Sequence, residues 1–541
     1  MLSLFYKISS KNMFFRKENS SKELPILVGV LIYAYFINWV SGNIGVIPID
    51  SFGFLDTGHS ILYGHLPIRD FWIFTGLLVD YMEALFLFLF GNNWNSHLAH
   101  GSFMNIVATA GVFFFLKELN LKFNYIVFYS ISFATLCYPL SGTPFAYIHA
   151  YIFSLLAIFN LVIAIKNKNK VLWFIFPFLC LFAFLSMQTP TAYILIILLI
   201  LLIYYFFKNK DFKNLRFFAL GCVSSLFLFL LFLYITKTPI INFIYQYILF
   251  PMSIGEARIS SNELAYIGLA DQFNLKRLFG EFKFIHFFLL PLIFISIKNL
   301  KKNKELINII NFTIILCTLA FFFNQLITAN QIYIFSLIPI LAAILHFNLK
   351  NLKKKNLQNK LCYLIIFLVI FSTVKFHYRF NIDRKFHELE NIDKSKAVKA
   401  SQIHENFNNL KWISKSDQPK YEIKVIKEAI KIINKDERNK ILITHYQFMS
   451  TILGKNFNIL NRWYLWSNDS HPTESHEHFE FYKSMVNKNI QNNKIKVIYL
   501  LGQKNEILFE NVKNYFTNVC FESKTIVQKR FSSHKIINCK D

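Results

Sequence analysis

Charge is scarce in this chain. Asp, Glu, Lys and Arg together make up 17% of its 541 residues, and acids are the scarcer half, 32 against 58 Lys and Arg. Hydrophobic residues reach 54%, aromatics 18%, and the mean hydropathy is +0.37. A soluble domain rarely carries such an apolar excess, so the composition points to a polytopic α-helical membrane protein. The net charge of +26 does not imply a nucleic-acid partner, because the basic residues lie in short clusters between apolar runs. Cysteine is also sparse: five of the seven, Cys137, Cys180, Cys222, Cys317 and Cys362, fall inside apolar runs. Only Cys520 and Cys539 lie in polar sequence, where a disulfide would suit an oxidising compartment and two separate free thiols are the alternative. No small-residue cleavage site follows the first apolar segment, so a cleavable signal peptide is not expected. Solenoid-length repeats and low-complexity linkers are lacking too.

What is present is a series of apolar segments. A membrane-spanning helix needs about 17–25 mostly apolar residues, and the sequence predicts about 11 spans, near 24–43, 97–116, 123–140, 145–165, 171–188, 190–207, 217–236, 284–299, 305–325, 328–348 and 360–376. Basic clusters alternate with uncharged turns between them. Lys11, Arg16, Lys17 and Lys22 precede the first span; Lys166/Lys168/Lys170, Lys208/Lys210/Lys213/Arg216, Lys298/Lys301/Lys302/Lys304 and Lys350/Lys353/Lys354/Lys355 mark later loops. The positive-inside rule then places the amino terminus (1–23) in the cytosol of a multi-pass cell-membrane protein. The membrane domain is expected over 24–376, with extracytoplasmic loops at 45–96 and 237–284.

The first of these loops holds most of the chemistry. Asp50, Asp56, Asp70, Asp80 and Glu83 lie between Ile47 and Gly91, where the chain leaves a span. Ionisable groups at a bilayer are costly unless they serve a purpose. The apolar stretch 74–90 would reverse the sidedness of every later basic loop if it crossed. Gly76, Asp80 and Glu83 fall on one helical stripe, which predicts an amphipathic surface helix with its acidic stripe toward water.

After the last span the chain stays polar. Residues 377–541 are long enough for one extracytoplasmic domain. Strands are expected at Ile441–His445 and Lys496–Leu501, helices at Glu422–Ile433 and Phe479–Asn489, giving an α/β or α+β fold. The His471–His478 segment lacks metal-ligand spacing, so no metal site is assigned there.

Three pieces carry a resemblance: Asp56-Thr-Gly-His59, Gly64-His-Leu-Pro67-Ile-Arg69-Asp70-Phe71 and Leu87-Phe-Leu-Phe-Gly91, with a weaker echo in Leu185-Ser-Met-Gln-Thr189. In this order, after a first span and before many others, they resemble the GT-C superfamily of membrane glycosyltransferases, in the protein mannosyltransferase and aminoarabinose transferase-like branch. The resemblance covers roughly 24–375. It implies transfer of a sugar from a polyprenyl-phosphate donor to a glycan, lipid or protein acceptor on the outer face, with Asp56 as the catalytic carboxylate. Two departures stand out. Thr57 replaces the second acid of a common acidic pair, and 141–147 has no acid where many relatives have one, so no cofactor is firmly implied and a divalent metal is left open.

Sugar transfer from a lipid phosphate needs a base for the acceptor hydroxyl and cations for the leaving phosphate. Asp56 is the candidate base, with helix N-capping as its structural alternative. Asp70 is the second catalytic candidate. Arg69, Arg258, Lys276 and Arg277 are candidate phosphate ligands, and His59, three residues from Asp56, is a further substrate-binding candidate. A multi-span transporter or flippase, or a ligase of lipid-linked glycans, is the competing expectation.

Overall fold

A computed structural model of the protein describes residues 20–137, 142–260, 274–300, 305–328, 332–350, 354–464, 468, 470–502, 505–517, 519–537 and 539. In hydrocarbon every backbone N–H and C=O must find a partner within its own segment, and the apolar runs accordingly form helices. These are α1 (Ser20–Gly42), then, after a loop region carrying α2 (Gly53–Leu62) and α3 (Leu77–Phe90), α4 (Trp94–Glu118), α5 (Phe123–Cys137), α6 (Ala146–Asn167), α7 (Lys170–Ser186), α8 (Gln188–Asn209) and α9 (Phe212–Ile235). A second loop region leads to α10 (Lys283–Leu300), α11 (Glu305–Thr328), α12 (Leu337–Leu349) and α13 (Lys355–His377).

Among the described residues, eight helices are long and apolar enough to cross a membrane: α1, α4, α6, α8, α9, α10, α11 and α13. The expected count of eleven is therefore corrected. Helices α5, α7 and α12 occupy the other three predicted segments but run only 15, 17 and 13 residues, shorter than any of the eight. Helix α6 is the centre of the bundle, with 89% of its apolar window buried, whereas α9 is a rim helix with 17%. That contrast explains why α6 can carry His149 and Asn160 among its buried residues.

The polar C-terminal part builds a four-stranded mixed sheet. Its strands are β1 (Lys440–Thr444), β2 (Val497–Leu501), β3 (Cys520–Val527) and β4 (Phe531–Ile537), in the order β1-β2-β4-β3. β1 and β2 run parallel, with Lys440 opposite Val497, and β3 and β4 form an antiparallel hairpin. Every residue of β1 and of β2 is buried, as continuous apolar strands covered on both faces should be. Among the described residues four helices accompany the sheet: α14 (Pro419–Lys435), α15 (Met449–Leu453), α16 (Phe479–Asn492) and α17 (Asn505–Lys513). Proline at its first turn opens α14, and Ile423, Ile426, Ala429 and Ile433 form its buried stripe. Cys520 and Cys539 are disulfide-bonded, with their Cα atoms 5.0 Å apart.

This domain does not stand apart from the membrane helices. The segment after α1 enters it as an added strand: Gly45 N donates to Lys411 O and Val46 N to Ile413 O, both at 3.0 Å. Trp72 does the same further on, its N–H donating to Leu460 O at 2.7 Å while Arg462 N donates to Trp72 O at 3.3 Å. Phe52 is fully buried between the two parts, stacked on Trp412 at 5.7 Å and edge-on to Phe448 at 4.7 Å. Burying each such ring is worth roughly 1.5–3 kcal/mol, so the 43–93 region and the C-terminal domain share one core.

The environment of α3 is opposite to that expected. Asp80 and Glu83 are both fully buried, while Leu85, Phe88, Leu89 and Phe90 are exposed. The acidic stripe faces inward because partners from distant sequence neutralise it, and the apolar side is turned out.

Candidate functional site

Two groups of polar residues lie where the 43–93 region meets the C-terminal domain. The first is a closed network around the buried acids. Helix α2 begins at Gly53, so Asp56 sits within its first turn and does not cap it. Its carboxylate is 1% exposed and is held at the N-terminus of α15: Ser450 Oγ donates to Oδ2 at 2.9 Å, and Thr451 donates to Oδ1 through Oγ1 at 2.6 Å and through its backbone N at 3.1 Å. Burial pushes the Asp56 carboxyl up to about 6, against the pull of these donors. Asp56, the candidate base, is thus enclosed and not open to a cleft.

Asp80 lies beside it. Thr57 Oγ1 donates to Asp80 Oδ1 at 2.5 Å, and the fully buried Arg462 guanidinium pairs with Oδ2 and also donates to Thr75 O. Burial raises the Asp80 carboxyl to about 6, with Arg462 pulling the other way. Gly76, at φ +73°, starts α3 under the same guanidinium; a Cβ there would come within 2.9 Å of Arg462 Nη1. One turn on, Glu83 Oε1 meets His97 Nδ1 at 2.8 Å and Oε2 meets His100 Nδ1 at 2.7 Å. Burial works to raise this carboxyl, but the two imidazoles outweigh it and hold it down at about 2. Gly58 lets α2 close over the side chain, for a Cβ there would lie 2.6 Å from Glu83 Cγ. His59 is fully buried against Tyr63, both ring nitrogens without a hydrogen-bond partner, and burial holds it down at about 4.

The second group is open. A cleft of about 520 Å³ is bounded by the turn after α2 (Gly64, His65, Arg69, Asp70), the turn after α9 (Lys237, Pro239, Asn242) and one face of α16 (including Lys488, Asn489 and Asn492). Asp70 is the one carboxylate on its wall. Arg69 Nη2 meets Asp70 Oδ2 at 2.6 Å, and Leu66 N donates to the same oxygen at 2.7 Å. Arg69 Nη1 donates to Thr236 O at 3.0 Å and Nη2 to Gly64 O at 2.7 Å, which ties the turn to the end of α9. From the opposite wall Asn489 Nδ2 donates to Asp70 O at 2.9 Å. The hydrogen bond to Asp70 strengthens proton holding by Arg69, while burial keeps the His65 ring below its ordinary value.

No family model matches the chain, and no curated protein pairs with it.

The cleft brings Asp70 and Arg69 together and leaves the other sequence candidates elsewhere. Lys276 is exposed and Arg277 pairs with Glu281 at 3.1 Å; neither lines the cleft. The side chain of Arg258 falls outside the described residues. Trp463 donates to Ile49 O at 3.1 Å, and Tyr464 is buried. Trp466 also falls outside the described residues. Among the described residues no group of three His, Cys, Asp or Glu side chains could hold a metal ion. Lys237, Asn242, Lys488 and Asn489 do not stand out in the sequence, because a lysine or asparagine at a loop or helix surface carries no local signal of its partner wall. His97 and His100 had a visible cue, two imidazoles one turn apart at the start of an apolar helix.

Proposed function

We propose that the chain is a membrane glycosyltransferase that moves a sugar from a polyprenyl-phosphate donor to an acceptor, and that the cleft around Arg69 and Asp70 is where it acts. One observation carries this reading: the cleft, at the end of α9, combines a single carboxylate with Arg69, Lys237, Lys488 and several side-chain amides. Its size suits a sugar phosphate. Asp70 takes the proton of the acceptor hydroxyl as that oxygen bonds to the anomeric carbon. The bond from that carbon to the phosphate oxygen breaks, and the leaving polyprenyl phosphate gathers charge beside Arg69, Lys237 and Lys488. The amides of Asn242, Asn489 and Asn492 are suited to sugar hydroxyls. The base role thus passes from Asp56 to Asp70, because Asp56 is enclosed whereas Asp70 lines the open cleft.

The same reading sets the topology. The 43–93 region and the C-terminal domain share a core, so they lie on one side of the membrane, and the number of crossings between them is even. Seven of the eight long helices lie between them. We infer that an odd number of the shorter helices α5, α7 and α12 also crosses. The amino terminus is then cytosolic and the cleft extracytoplasmic.

The test uses purified protein, a panel of polyprenyl-phosphate sugars and detection of released lipid phosphate. Asp70→Asn is expected to lower release by about 100-fold or more without affecting membrane insertion. Release that survives in Asp70→Asn but is lost in Asp56→Asn would return the base role to Asp56; no release from any donor by the wild-type chain would remove the enzyme reading.

A further inference from the structure

A second cavity, of about 400 Å³, lies between α10, α12 and α13, helices that contribute nothing to the cleft around Asp70. Its shape follows from how these helices pack. Near the C-terminal domain α10 meets α13, with the Phe284 ring 5.9 Å from Phe371 and 5.6 Å from Phe376. Toward the basic loops the two part, each packed on α12, and the cavity is the groove left between them. Phe288 and Phe294 on α10, Leu345 on α12, and Leu361 and Leu368 on α13 make its walls apolar. On α13 the lining runs from Leu357 to Leu368, about 16 Å at 1.5 Å per residue. The hydrocarbon core of a bilayer is about 30 Å thick, so the groove has the length of one leaflet. It is the leaflet away from the cleft, because α13 continues beyond Leu368 toward the C-terminal domain.

The end beside the basic loops is polar and cationic. Lys298 and Asn299 on α10 and Asn348 on α12 line it. Asn299 Nδ2 donates to Asn348 Oδ1 at 3.3 Å, and the buried Asn311 donates to the same oxygen at 3.0 Å. The Lys298 ammonium lies 4.2 Å from the centre of the Phe294 ring, which is itself part of the wall. Lys354 and Lys355, both exposed, open α13 within a turn of Leu357. Between 294 and 360 the sequence has nine lysines and a single acid, Glu305. A groove that is apolar for the depth of one leaflet and cationic at its surface end has the polarity of one phospholipid, chain inward and headgroup outward. Its charge favours a net anionic headgroup, since a zwitterionic one brings a second cation to the same place.

We propose that this groove binds one anionic glycerophospholipid from the leaflet on the basic-loop side, with an acyl chain along α13 and the phosphate at Lys298. The lipid completes the packing of α10 against α13 where the two helices diverge. This is independent of the sugar-transfer reading, which concerns the opposite end of the bundle.

The test is native mass spectrometry of the full chain, purified in detergent and offered equal amounts of phosphatidylglycerol and phosphatidylcholine with identical chains. The wild type is expected to retain one phosphatidylglycerol with a preference of about fivefold or more, the effect of one lysine near a membrane surface. Lys298→Gln should bring the two lipids close to parity, and Leu361→Trp, which fills the groove, should lower retention of phosphatidylglycerol. Equal retention of both lipids by the wild type, or an unchanged preference in Lys298→Gln, would overturn the proposal. Displacement of phosphatidylglycerol by an equal amount of polyprenyl phosphate would overturn it too, by making the groove a carrier-lipid site. A second measurement needs no variant: phosphatidylglycerol with a diazirine in its acyl chain, in nanodiscs, should cross-link within 287–299 or 357–368. Cross-links confined to other segments would equally overturn it.

Discussion

Asp80 and Glu83 lie one turn apart on the same helix, equally buried, and are neutralised in different ways. Asp80 is answered by a guanidinium, which stays charged at any pH the protein meets, delivered from the far end of the chain. Glu83 is answered by two imidazoles from the next helix, side chains that, unlike a guanidinium, exist in neutral and charged forms. The first arrangement fastens the C-terminal domain to α3 permanently. The second fastens α3 to the helix bundle through two imidazoles from α4. A carboxylate buried by folding thus takes its character from its partner, not from its own position.

The comparison can be broken most severely at Arg462. Arg462→Met leaves Asp80 buried and uncompensated, with an expected loss of about 3–5 kcal/mol in denaturant unfolding of the solubilised protein. A loss near zero would mean that Asp80 is neutral in the fold. Removing the donors to Asp56 by Ser450→Ala with Thr451→Val should cost about 1–3 kcal/mol and loosen the C-terminal domain, read as faster proteolysis after α13. Glu83→Gln should cost less, about 1 kcal/mol, because a neutral amide can still accept from one imidazole and donate to the other; a cost equal to that of Arg462→Met would erase the distinction between the two acids. The smallest effect sharpens the picture at Asp56. Its folded value of about 6 lies above the ordinary 3.8, so its contribution is fully present below about 4 and is lost as pH rises through about 6. Asp56→Asn should remove that share, seen as a melting temperature that falls less steeply than the wild type's across this window, where Asp80 still contributes.

The sequence made the helices plain, since an apolar run in a membrane has few alternatives to a helix, and β1 and β2 were visible as short apolar runs in polar surroundings. The inward face of α3 was not. A stripe holding Asp80 and Glu83 looks solvated when considered alone, and only Arg462, 382 residues away, and the histidines of α4 reverse that. The candidate site was half visible. Arg69 and Asp70 stood out as charges beside a span, whereas the wall opposite them comes from α16, which no spacing in the first loop could announce.

The long separation between Asp80 and Arg462 matters during synthesis. Asp56, likewise, is completed by Ser450 and Thr451, 394 and 395 residues further on. While the bundle is being threaded into the membrane, these acids have no counterparts and must wait in contact with water, with α3 lying along the surface. The burial of Asp56 and Asp80 therefore depends on residues 450–462, whereas Glu83 meets its histidines 14 and 17 residues on.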